Sequence, residues 1–223
     1  MPATNLPQNR VTLESGDEVR VFLTSPLPTN TYAWISGGEC LVVDPGSDGD
    51  LLAQELADVK VTHVVATHGH NDHASGVGEL VSATGADFAR AEADVDWVLA
   101  HAGRPDHWGR AYGSPCPRPD RLLAEGDTVS VGTAVFTVYA APGHTPGGIV
   151  LLGGGSAEGY CFVGDSIFEG SHGRTDLEGG DAAAMDATLH RLAGIIPGDT
   201  VLLCGHGNAT TMAREIATTP FYR

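Results

Sequence analysis

The stretch VVATHGHNDHASG, residues 64–76, decides the fold. An apolar, β-branched run ends at Thr67, and His68, His70, Asp72 and His73 follow within six positions. The run reads as a buried strand, and the residues from Asp72 to a closing Gly85 read as a helix, so the donors sit on a strand-to-helix turn. Gly69 is expected to let the backbone bend until both flanking imidazoles face one point. Imidazole and carboxylate are common ligands of zinc and iron, and four such donors exceed one tetrahedral ion's needs once a water is counted. The cluster therefore points to two metals.

A second ion needs donors from elsewhere in the chain. His144 in APGHTPGG, Asp165 in FVGDSIF and His206 in LLCGHGNAT each follow an apolar run and precede a turn, with glycines alongside that permit close backbone approach. Asp165 has two oxygens to share and suits a bridge. Singly, each would be an ordinary loop residue; three strand-end sites beside the dense cluster argue for one shared site. Of the other histidines, His63 in a strand and His190 in a helix read as structural, while His101, His107 and His172 lie on loops able to approach the site. Ser166 lacks a G-x-S-x-G elbow and reads as a turn residue, and no phosphate-binding loop is present.

Working outward, EVRVFL (18–23), TYAWIS (31–36) and ECLVVD (39–44) read as strands, with SGGE as a hairpin turn. Helices are expected over 47–59, 72–85 and 91–103, and strands over 61–67, 128–132, 133–145, 147–154 and 160–168. A helix over 181–196, a strand over 200–207 and a short last helix complete the pattern. This repeat of strands then helices suggests two sheets with helices outside. Residues 101–119 are too rich in Pro and Gly for a helix and too long for an idle connection, which makes them a lid candidate.

Composition narrows the function. The 223 residues are 42% hydrophobic, enough for one domain with its own core. Neither a signal peptide nor an apolar run of membrane-spanning length is present, so a cytoplasmic protein is expected. Twenty-eight acidic residues against 12 basic ones leave a formal charge of −16, which repels nucleic acid and anionic membranes. Cys40, Cys161 and Cys204 sit in apolar runs and read as buried thiols, whereas Cys116, in SPCPRP, reads as the more exposed one.

THGHNDH, PGHTPGG, GDSIF and CGHG resemble the successive metal motifs of the metallo-β-lactamase superfamily, from about Val21 to the end of the chain. The resemblance implies an α+β fold, the four-layer αβ/βα sandwich, over residues 1–223. It implies that His68, His70 and His144 hold one metal, that Asp72, His73 and His206 hold the second, and that Asp165 bridges both, with Asp72 and Asp165 in catalytic roles. GRTDLEGGD (173–181) and GHGNATTMAREIATTPFY (205–222) resemble the short glyoxalase II-like hydrolases, although Thr219 replaces the usual Asn and Ile216–Ala217 the usual basic pair.

The implied function is hydrolysis of an acyl thioester of a low-molecular-weight thiol by two divalent ions, zinc first, with iron or manganese as alternatives. The alternatives are a mononuclear-iron persulfide dioxygenase and a lactone or phosphodiester hydrolase. Only 17 residues follow His206, so no C-terminal helical thiol-binding domain is expected, and a thiol other than glutathione fits equally well. The expected partner is a small-molecule thioester, on a monomer or small homo-oligomer. Arg174 is a candidate to hold a substrate carboxylate, or else an ion pair with Asp176 or Asp181. Trp108 and Tyr112 are candidates to cover an acyl chain, and Asp44, in VVDPG, to orient a ligand imidazole.

Overall fold

The computed structural model describes residues 6, 8–24, 26–101, 104–105, 109–110 and 114–222. Two sheets face each other. The first has seven strands in chain order, β1 (Gln8–Thr12), β2 (Glu18–Thr24), β3 (Thr29–Ser36), β4 (Glu39–Val43), β5 (Lys60–Val65), β6 (Asp87–Ala91) and β7 (Arg121–Leu123). Strands β1 to β4 pair antiparallel and β4 to β7 parallel. The change of sense follows from the connections. Gly37 and Gly38, both at positive φ, close the tight β3–β4 hairpin. Parallel pairing instead needs crossovers, supplied by α1 (Gly49–Glu55), by α2 (Asn71–Ala74) with α3 (Val77–Thr84), and by α4 (Val95–His101) with the segment after it.

The second sheet contains β8 (Thr128–Val131), β9 (Ala134–Ala140), β10 (Ile149–Gly155), β11 (Tyr160–Gly164), β12 (Val201–Cys204) and β13 (Thr210–Thr211), in the order β13-β12-β11-β10-β9-β8. Its one parallel pair, β11 with β12, is spanned by α5 (Ala182–Ile195), and α6 (Met212–Thr218) follows β13.

Period-2 alternation sorts the side chains into layers. On β4, Leu41 and Val43 face the other sheet while Cys40 and Val42 pack under Leu52, Leu80 and Val98 from the helical side. On β11, Phe162 points between the sheets while Cys161 and Val163 pack under Met185, Leu189 and Leu192 of α5. Helices, sheet, sheet, helices is therefore the layer order, as expected of the αβ/βα sandwich.

Trp34, fully buried on β3, is the hub between the sheets, with its ring edge-on to Phe136, Tyr160 and Phe162. Its Nε1–H donates to the buried Asp17 carboxylate at 2.9 Å, and Ser156 Oγ donates to the same oxygen. Trp34→Phe keeps a ring but removes one of the two hydrogen bonds to that buried charged oxygen, leaving only Ser156, so a stability loss of about 2 kcal/mol is expected in urea unfolding. A loss below about 0.5 kcal/mol would show that the pair contributes nothing net.

The structure departs from the sequence reading in several places. The helix expected over 72–85 is broken at Ser75–Gly76 into α2 and α3, because Gly76 N–H turns aside to donate to Pro45 O at 2.8 Å in the loop after β4. The helix expected over 91–103 is shorter: β6 runs to Ala91 and a 3₁₀ turn precedes α4. Strand β6 is not expected from the sequence because Arg90, buried at 1% exposure, interrupts its apolar pattern, and the edge strands β1 and β7 carry no clear alternation. Cys116 is buried at 5% exposure against the helix-side core, since the Pro-rich segment lies against α3. Trp108, Tyr112 and His107 lie outside the described residues, as does part of the candidate lid. Among the described residues no helix is long and apolar enough to cross a membrane.

Candidate metal centre

Strands β5, β9, β11 and β12 all end at one rim of the sandwich, and the seven donors are carried on the segments that leave them. His68 and His70 lie on the turn after β5, Asp72 and His73 on α2, His144 after β9, Asp165 directly after β11, and His206 after β12. The structure brings all seven together. Donor atoms of His68, His70 and His144 lie within 4.8 Å of one another, as do those of Asp72, His73 and His206. Asp165 stands between the two groups: Oδ2 is 3.4 Å from His144 Nε2 and 3.5 Å from His206 Nε2, and Oδ1 is 3.3 Å from His73 Nε2.

Outer hydrogen bonds decide which nitrogen each ring presents. His144 donates from Nδ1 to Arg174 O at 2.7 Å, His206 from Nδ1 to Pro28 O at 2.9 Å, and His73 from Nδ1 to Asp44 Oδ2 at 3.0 Å. His68 Nδ1 lies 3.1 Å from Thr67 Oγ1, whose own proton goes to Asp44 Oδ2. Each of these four rings is thus left with an Nε2 lone pair directed inward. His73 Nε2 and His206 Nε2 are 3.2 Å apart, and two lone pairs so placed repel unless a cation or a proton lies between them. His68 Nε2 and Asp165 Oδ1 are buried without a hydrogen-bond partner among the described residues. Orphaned, converging acceptors are costly in a protein interior and fit a bound cation.

Electrostatics separates the two groups. Burial, reinforced by neighbouring imidazoles, drives His68 well below its ordinary pKa and takes His70 down to about 3, so both are neutral donors at physiological pH. Burial also opposes charge on His73, but the carboxylates of Asp165, Asp72 and Asp44 outweigh it and lift this ring to about 10. His206 is raised against burial by its hydrogen bond to Asp72 and by Asp165, and Asp72 in turn is held low against burial by His73 and His206. Positive charge is thus favoured where the two carboxylates meet.

Asp44 meets the expectation of an orienting residue and exceeds it. It is 2% exposed, adopts φ 54°, and accepts from Thr67 N, Thr67 Oγ1 and His73 Nδ1 at 2.6, 2.7 and 3.0 Å. Thr67 and the Pro28 carbonyl are supports that the sequence did not single out; Thr67 adjoins the motif, but Pro28 reaches His206 only through the fold. Glu215 is another. Fully buried, it accepts from Gly170 N, Thr210 Oγ1 and Thr219 Oγ1, which ties α6 to the loop that runs from Asp165 to Arg174.

A cavity of about 660 Å³ opens onto the donors, with Leu27, Trp97, Phe168 and Leu177 as apolar walls. Arg174 lines it, and its guanidinium meets Asp176 in a two-point contact at 2.6 and 2.7 Å. Asp181 instead caps α5. His101 and His172 also reach the cavity, the first facing Glu178 at 3.5 Å and the second edge-on to Phe221. Ser166 is buried in the turn after β11.

The model of the metallo-β-lactamase superfamily matches residues 24–206, a span that contains all seven donors. The chain belongs to that superfamily. It is 34% identical over 187 residues to a hydroxyacylglutathione hydrolase of Aeromonas salmonicida, covering 82% of this chain and 64% of that enzyme, so it spans just under two thirds of the relative's length. Among solved structures, the B3 metallo-β-lactamase BLEG-1 superposes with a TM-score of 0.82 at 29% identity, over 92% of this chain and 99% of the other. A di-iron-bound form of TTHA1623 superposes at 0.79 with 32% identity, over 90% and 98%. The superfamily assignment makes the histidine and aspartate clusters metal-binding groups of a metallo-hydrolase fold.

Proposed function

We propose that this superfamily member is a dinuclear metal-dependent hydrolase of acyl thioesters. The observation that carries the proposal is the position of Asp165, whose carboxylate oxygens face His144 on one side and His73 and His206 on the other. His68, His70 and His144 would hold one ion and Asp72, His73 and His206 the other, with zinc as the proposed metal; the di-iron form of TTHA1623 supports iron as the alternative. When bound, two divalent ions supply an activated water near neutral pH, lowering its pKa toward about 7, and polarise a carbonyl oxygen.

The residues of the chain do the rest. Asp44, Thr67, Pro28 and Arg174 hold the donor rings in one tautomer, so that the lone pairs converge before any substrate arrives. The apolar walls of the cavity keep water away from a bound acyl group, and its size suits a small organic thioester. A thiol of pKa about 8.5 leaves as thiolate without a general acid. The hydroxyacylglutathione hydrolase relative supports a thioester over a lactone or phosphodiester substrate.

Elemental analysis of the purified protein, together with thiol release from a panel of acyl thioesters, tests the reading. Two equivalents of metal per chain and thiol release that stops on chelation and returns with zinc are expected. One iron per chain with oxygen uptake on a persulfide, or cleavage of lactones without thioesters, would overturn it.

A further inference from the structure

Asp94, on the 3₁₀ turn after β6, belongs to none of the metal motifs, yet it is 1% exposed and touches both loops that carry the three-histidine group. Its Oδ2 accepts from Thr145 Oγ1 at 2.7 Å and its Oδ1 from Gly147 N at 2.6 Å, which fixes the turn immediately after His144. On its other side it packs against Gly69, between His68 and His70. A Cβ at Gly69 would lie 3.1 Å from Asp94 Cβ, 3.1 Å from an Arg90 guanidinium nitrogen and 2.8 Å from Val98, and one at Gly147 would lie 2.6 Å from the Asp94 carboxyl carbon. Neither glycine is at positive φ, so what they provide is room for Asp94 and its neighbours. Arg90, also 1% exposed, stands 3.7 Å from Asp94 Oδ2 as counter-charge.

We propose that Asp94 is a positioning residue that sets the distance between the His68–His70 turn and His144, and thereby the geometry of the three-histidine metal group. The reason is topological. His68 and His70 leave the first sheet and His144 the second, so their spacing depends on how the two sheets dock, and a fully buried carboxylate with one hydrogen bond to Thr145, one to Gly147 and a packed face against Gly69 removes that freedom. The group of Asp72, His73 and His206 is supported elsewhere, by Asp44 and Pro28. Loss of Asp94 should therefore act on one metal and spare the other.

The inference rests on the metal centre proposed above but not on the thioester substrate, and its test reads metal affinity. Zinc affinity of the full chain is measured by competition with a chromophoric chelator for Asp94→Ala, for Thr145→Val, which removes a single hydrogen bond, and for each combined with His144→Ala or His206→Ala. Asp94→Ala is expected to weaken one metal equivalent by about 10- to 100-fold and leave the second unchanged, and Thr145→Val to weaken the same equivalent less. Asp94→Ala should be strongly non-additive with His144→Ala and additive with His206→Ala. Equal weakening of both equivalents, or additivity with His144→Ala, would reduce Asp94 to a general contributor to stability and overturn the inference. If Asp94→Ala does not fold, Thr145→Val and its two combinations decide the matter alone. A chain that binds metal with this coupling but cleaves no thioester would sink the proposed reaction and leave the positioning role standing.

Discussion

Asp165→Asn is expected to take the purified protein from two metal equivalents toward one and to lower thioester turnover by about 10²–10³-fold, the scale seen when a preorganised electrostatic partner is removed from a reacting centre. The substitution is nearly isosteric, so the fold and the cavity should survive. What changes is charge and the number of acceptor oxygens. Asp165 Oδ1 is buried without a hydrogen-bond partner among the described residues and Oδ2 faces His144 and His206 Nε2, so an amide in its place turns an NH₂ toward inward-facing lone pairs or toward a cation. In the metal-free protein the effect should also appear as a lowered His73 pKa, because the carboxylate of Asp165 is the first of those that raise it against burial. Metal content by elemental analysis and kcat under saturating zinc are the two readouts. Full occupancy and an unchanged rate would show that the carboxylate does not join the two groups.

Asp44→Ala is expected to be the most damaging substitution for stability near the site. Three buried donors, Thr67 N, Thr67 Oγ1 and His73 Nδ1, lose their acceptor at once. With about 1–3 kcal/mol for each buried group left unsatisfied, a loss of roughly 4 kcal/mol is expected at a residue only 2% exposed. The backbone adds to it, since φ 54° suits Asp or Asn better than Ala. Asp44→Asn should be milder on both counts: its amide oxygen still accepts from Thr67 N and its φ is tolerated, but it no longer fixes the His73 tautomer, so metal affinity should fall by about 10- to 100-fold with stability largely kept. Denaturant unfolding separates the two variants. An Ala variant as stable as the parent would mean that Thr67 and His73 find other partners in the apoprotein.

The legibility of this chain follows from how local each feature is. The His68–His73 cluster was readable because its four donors lie within six consecutive residues, and β4, β5 and β11 were readable because each is an apolar run written in consecutive residues. The helix break at Ser75–Gly76 was not, because its cause is Pro45 O on a different loop. Strand β6 was hidden by Arg90, a charge in the interior that makes sense only beside Asp94. Cys116 looked exposed in a Pro-rich stretch and is buried, because the segment folds back over the helices.

Taken alone, the order of residues determined the donor inventory and the strand-end placement of each donor, since these depend on spacing along a backbone of known period, while the layered class of fold was implied by the resemblance of the motifs to the superfamily. Tertiary structure alone decided which nitrogen each imidazole presents, which side of Asp165 faces which group, and that Asp94 meets both histidine loops. Those choices are made by hydrogen bonds between residues as far apart as Pro28 and His206, and only the docking of the two sheets brings such partners within reach.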